Sequence, residues 1–253
     1  MDYMKNIIRP LKNLSEFNKS FAQLFSSSIL IALIGAFCIP VISRIYSPED
    51  LGLFQLFLSI VLVFSSIASF KYELALVLPK RLYQVRIVFY LSLVVLIITT
   101  ALYSAAFVFL SKEILSYFNA ESLERFFWVI PIGIFFSGLA QVMQMYLVSN
   151  GDFGNLSVNK AVQSLSNNLG SIGLGSIGPS FSALIVSYVS SLLLALLLMM
   201  LRFKHNWKGR IKHGLLIRYA KKYRKFPTVN SVNVFLNTMS MNCLLYTSPS
   251  PRD

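Results

Sequence analysis

The side chains of this sequence that could engage a ligand are neutral amides, hydroxyls and one lysine. Residues 159–168 read NKAVQSLSNN. At 3.6 residues per turn, Asn159, Gln163, Asn167 and Gly170 share one helical face, with Lys160, Ser164, Asn168 and Ser171 beside it. Twenty residues earlier, Ser137, Gln141, Gln144 and Val148 lie close together on another helix. Such faces can hydrogen-bond water or a hydroxyl-rich ligand, and Lys160 adds a cation for an anionic group. Motifs for covalent chemistry are missing: there is no Ser-His-acid set, HExxH, CxxC or Gly-rich phosphate loop before a helix. No cofactor or metal is expected, and the chain is not expected to be an enzyme.

The elements that carry these residues are long and apolar. Of 253 residues, 55% are hydrophobic and 13% charged, about half the charge of an ordinary soluble domain. Six runs approach the ~20 residues that a bilayer core requires: Phe21–Ile42, Leu51–Phe70, Ile87–Leu110, Phe126–Ser149, Leu156–Ile177 and Phe181–Leu201. A partial seventh, more polar run begins at Phe226. The expected fold is all-α, a polytopic membrane bundle of six transmembrane helices plus that partial seventh. Polar faces cannot meet lipid, where an unsatisfied amide costs several kcal/mol. They must meet other helices or a wet cavity. For Ser26–Ser28, Ser65, Ser66, Ser187 and Ser191 we expect hydrogen bonding between helices; for the fifth run, a hydrophilic path. Pro40 and Pro131 are candidate kinks, and Gly170, Gly173, Gly175 and Gly178 are candidate sites of close packing.

The net charge of +13 does not indicate nucleic acid, because the basic residues fall between the runs. Four precede the first run, four lie between the second and third, Lys160 opens the fifth, and ten fall in 202–225. The intervening connections hold Arg44, Lys112 and Arg125. The positive-inside rule then places the N-terminus and 202–225 in the cytoplasm, and the turn Arg44–Gly52 outside. The basic segment 1–20 is read as a cytoplasmic extension before a retained first helix. In 202–225, apolar Ile211, Leu215, Leu216, Tyr219 and Tyr223 oppose a basic face, so this linker is expected to lie on the anionic inner leaflet.

Four stretches, PVISRIYSPEDLGLFQLFLSI, KYELALVLPK, GDFGNLSVNKAVQSLSNN and KKYRKFPTVNSVNVFLNTMS, occur in order at the run boundaries. Together they resemble the oligosaccharide (O-antigen or capsule repeat-unit) flippases of polysaccharide biosynthesis, within the multidrug/oligosaccharidyl-lipid/polysaccharide exporter superfamily. The resemblance implies two facing lobes and alternating access. The implied substrate is an undecaprenyl-diphosphate-linked oligosaccharide, moved across a bacterial inner membrane. Implied partners are membrane lipids and a polysaccharide polymerase or glycosyltransferases. On that reading Arg44 and Lys160 are cationic contacts near the outer and inner ends of the path. Gln141, Gln144, Gln163, Asn167 and Asn168 are its neutral lining. Arg44 has an alternative as an ion-pair partner of Glu49 or Asp50, and Lys71 with Glu73 reads first as an interfacial pair. The tail 243–253 fits neither a helix nor the family, so residues 226–242 are expected to be a broken seventh span of a truncated chain. The rival functions are a drug or cation antiporter, a membrane-embedded glycosyltransferase, polymerase or ligase, and a non-transporting scaffold.

Overall fold

The computed structural model describes residue 25 and residues 27–79, 81–117, 128–202 and 213–247. The basic N-terminal segment, Lys80, Arg125 and residues 203–212 lie outside them, as does the side chain of Lys112. Within the described residues the chain is helical throughout: α1 (Ser27–Ile45), α2 (Pro48–Ile67), α3 (Leu82–Tyr117), α4 (Val129–Ser149), α5 (Phe153–Ile177), α6 (Phe181–Arg202), α7 (His213–Lys222) and α8 (Ser231–Thr247). Five of these, α1 to α4 and α6, are long and apolar enough to cross a membrane. α5 is long enough, at 25 residues, but its amides and glycines make it too polar to meet the same test. It is housed instead against α6 and α4.

Local chemistry explains the helix starts. Ser47 caps α2 by accepting from the Asp50 amide at 3.1 Å, with Pro48 in the first turn. Asp152 caps α5 through the Asn155 amide at 3.2 Å, after Gly151 has turned the chain with φ +71°. Pro131 falls in the first turn of α4, where its missing N–H costs nothing, so no kink is needed there. Two of the four glycines allow close packing. A Cβ at Gly170 would lie 3.2 Å from Ser187 Oγ, and one at Gly175 would lie 2.7 Å from both Ile45 and the Tyr46 hydroxyl. Gly173 and Gly178 face open space.

Three expectations change. First, the connection after α2 is a built element. Phe70 and Lys71 take left-handed angles (φ 47° and 57°) and lead into a 3₁₀ helix, Tyr72–Val77. Thr99, seventeen residues into α3, donates to the Ala68 carbonyl. The chain must therefore run back along about 25 Å of α3, and it does so buried against α3 and α4. Second, α7's apolar face has a protein partner as well as any leaflet. Leu216, Tyr219, Ala220 and Tyr223 pack on the core, and the Tyr72 hydroxyl reaches the Ala220 carbonyl at 3.4 Å. Third, Cys243–Thr247 are helical, as the end of α8. Cys-Leu-Leu-Tyr carries no helix breaker, so the helix continues through it.

The main core lies between α2, α3, α4 and α6, around Phe57, Val61, Leu96, Ile134 and Leu192. Phe54 and Phe57 of α2 meet Tyr188 of α6 edge-on, at 6.5 and 6.3 Å between ring centres. Apolar side chains left on the outside, such as Phe37, Ile97, Leu102 and Leu197, suit a surface that faces lipid.

Candidate functional site

Two ends of the bundle can be told apart by contacts alone. At one end the α1–α2 turn meets the α5–α6 turn, where Asp50 Oδ1 accepts from the Phe181 amide at 2.9 Å. Twenty-one residues later, about 32 Å along α6, Arg202 donates to Asn155 at 3.1 Å. That second end holds the α4–α5 turn. The 3₁₀ connection meets α7 on the side that follows α6. The alternation required of a membrane-crossing chain is therefore kept. Described basic residues concentrate at the second end, including Arg202, Arg218, Lys221 and Lys222, while Arg44 stands at the first.

The first end is closed by hydrogen bonds. Tyr46, 3% exposed, donates its hydroxyl to the Ser171 carbonyl of α5 at 2.6 Å. Burial raises its pKa above 10.0, and the Asp50 charge adds to this. Asp50 also accepts from Ser47 Oγ at 2.6 Å. Its two oxygens are thus committed to Ser47 and Phe181, and no ion pair joins Arg44 to Glu49 or Asp50. The alternative role for Arg44, an ion pair with Glu49 or Asp50, is therefore not realised; Arg44 is exposed.

Further along α5 the polar stripe divides. Asn159 turns to α6 and donates to the Ala195 carbonyl at 2.6 Å. Gln163 and Asn167 instead join Gln144 of α4, Lys160, Ser164, Tyr188 and Ser191 around a cavity of about 350 Å³. Asn167 Oδ1 is buried there without a hydrogen-bond partner. A buried amide oxygen in that condition calls for a donor from water or ligand. Four of the seven predicted site residues, Gln144, Lys160, Gln163 and Asn167, are therefore brought together. Three are not. Gln141 reaches across to Ser65 of α2 at 3.3 Å, beside Ser137 at 3.2 Å. Asn168 bonds to Ser164 within α5 at 3.4 Å, and Arg44 stands at the far end. Ser65 thus bonds between helices as expected, whereas Ser66, Ser187 and Ser191 bond carbonyls of their own helices.

Tyr188 was not among the expected site residues, and the expected Lys71–Glu73 pair does form but is buried in the 3₁₀ connection. Lys71 Nζ stands 3.3 Å from Glu73 Oε1, at ion-pair distance but without hydrogen-bond alignment, and Ser69 donates to Oε2. Glu73 is 2% exposed. Its role inside the fold had one sequence signal, a carboxylate in an apolar stretch (YELALV) with a lysine two residues before it.

An all-α bundle with several bilayer-length apolar helices and a polar cavity among them defines a multi-pass membrane protein. The family model for polysaccharide biosynthesis proteins matches residues 80–245, and the chain belongs to that family. No curated protein and no solved structure matches it.

Proposed function

We propose that this protein is a flippase that moves an undecaprenyl-diphosphate-linked oligosaccharide across a bacterial inner membrane by alternating access. The observation that carries the reading is the polar cavity between α4, α5 and α6. There an orphaned amide oxygen, two glutamines and Lys160 converge inside a membrane bundle of a polysaccharide biosynthesis family. Hydroxyl-rich sugars match amide lining, and a diphosphate matches Lys160, while the lipid tail stays in the bilayer. On this reading the protein is a carrier, not an enzyme, and forms one lobe of a two-lobed exporter. The N-terminus is cytoplasmic, so the end holding Arg202 faces in and the Tyr46–Asp50 end faces out. Each negative charge moved outward gains about 2.3 kcal/mol per 100 mV of inside-negative potential.

Complementation tests the reading. A strain lacking its own flippase but making the cognate lipid-linked repeat unit should regain surface polysaccharide when it receives the gene. Absence of polysaccharide, with the protein present in the membrane, contradicts it. An intramembrane carboxylate would favour the antiporter reading, but the buried one here, Glu73, is held by Lys71 and Ser69 outside the cavity.

A further inference from the structure

A second and larger cavity, about 710 Å³, lies at the Arg202 end between α4, α5 and α6. It shares no lining residue with the amide cavity. Its floor is polar. Asn159, 4% exposed, uses its Nδ2 on the Ala195 carbonyl and leaves Oδ1 buried without a partner. Beside it runs a chain of charges and amides. Asp152 Oδ2 accepts from Asn155 Nδ2 at 2.6 Å, and Asn155 Oδ1 accepts from Arg202 Nη1 at 3.1 Å. The guanidinium keeps further N–H donors for an anion. The rim is apolar and turned outward: Val158 is 39% exposed and Leu201 80%. A polar floor with an apolar rim, at the level where a membrane helix ends in arginine, fits a molecule that is polar at one end and hydrocarbon at the other.

Charge balance narrows its class. Among the described residues one guanidinium and one carboxylate line the cavity, so a net anion would be repelled by Asp152 and a net cation by Arg202. A zwitterion satisfies both, with a phosphate on Arg202 and a hydrogen-bond-donating ammonium between Asp152 and Asn159 Oδ1. We propose that this cavity binds the headgroup of a bilayer phospholipid of the phosphoethanolamine type, with its acyl chains along Val158 and Leu201. The site is separate from the proposed transport path and does not depend on what that path carries. It would make the protein's stability sensitive to the lipid around it, since a ligand that binds only the folded state stabilises it.

The test uses the whole chain in mixed micelles doped with phosphatidylethanolamine, phosphatidylglycerol or phosphatidylcholine, with retained lipid counted by native mass spectrometry. The expected result is preferential retention of phosphatidylethanolamine. Arg202→Ala, at an exposed position, should weaken that retention about tenfold by removing a charge-assisted contact. Asp152→Asn keeps a good N-cap for α5 but leaves the cavity net positive, so preference should move toward phosphatidylglycerol. A merely structural role for Asp152 would not reverse lipid selectivity. Equal retention of all three lipids by the wild type overturns the proposal, as does an unchanged preference in Asp152→Asn. Soluble phosphoethanolamine competing as strongly as the lipid would overturn the assignment to a lipid.

Discussion

The two ends of the α4–α5–α6 layer are built on opposite principles. At the Tyr46–Asp50 end the buried tyrosine and the carboxylate of Asp50 each find a partner on another helix. Tyr46 reaches α5, Asp50 reaches α6, and Gly175 brings α5 against Ile45 and Tyr46 with no space to spare. Toward the Arg202 end the same helices separate around two cavities, and Asn159 and Asn167 each keep a buried oxygen without a partner. The closed end resembles a protein core, in which a polar group is acceptable because it is satisfied. The open end resembles a binding site, in which unsatisfied groups wait for a ligand.

Substitutions should separate the two ends. The largest stability effect is expected from Gly175→Leu, which drives a side chain into Ile45 and Tyr46. It should cost about 1–3 kcal/mol by overpacking, seen as a lowered unfolding midpoint in detergent. Asp50→Ala removes the bonds to Ser47 and to the Phe181 amide and should cost about 1–2 kcal/mol. A wild-type midpoint would mean that the two turns are not tied there. Tyr46→Phe loses one hydroxyl bond, about 1 kcal/mol. It also has a pH signature. A phenol with a raised folded-state pKa holds its proton while the unfolded chain releases its own, so stability falls as pH rises above 10.0. The Phe variant should lose less over that range. At the open end, Lys160→Ala should change stability by no more than about 0.5 kcal/mol while reducing export. The smallest stability effect is that of Arg44→Ala, at an exposed position, expected to leave the midpoint unchanged; reduced export with normal protein levels is the outcome expected of a path residue, and unchanged export would make it a surface residue only.

Much of this contrast was legible in the sequence, and what was not has physical causes. Apolar run length gave the helices, and the polar segment Arg44–Gly52 gave the turn between the first two, though not the Ser47 cap of α2. Helical periodicity placed Gln163 and Asn167 on one face, and they do share a cavity. Periodicity could not divide that face, however. Asn159 and Gly170 turn to α6 because the partner helix covers part of the stripe, and this is set by tertiary packing. Asp50 reaching Phe181 across 131 residues leaves no local trace. Nor does the 3₁₀ connection, because the left-handed angles at Phe70 and Lys71 fall on residues that do not favour them. The strain there, of order 1–3 kcal/mol per residue, is held by the bonds from Thr99 to Ala68 and from Ser69 to Glu73. The basic face of 202–225 was readable, but the protein partner of its apolar face was not.

The central claim, that the amide cavity is the route of the sugar-bearing head group, is tested most directly by photocrosslinking. A photoreactive residue at position 163, which lines the cavity, should label the lipid-linked oligosaccharide in membranes that make it. The same residue at position 165, on the exposed side of α5, should label bulk lipid and not the oligosaccharide. Labelling at 163 alone is the result this account predicts. Equal labelling at both positions, or labelling only at 165, would contradict it.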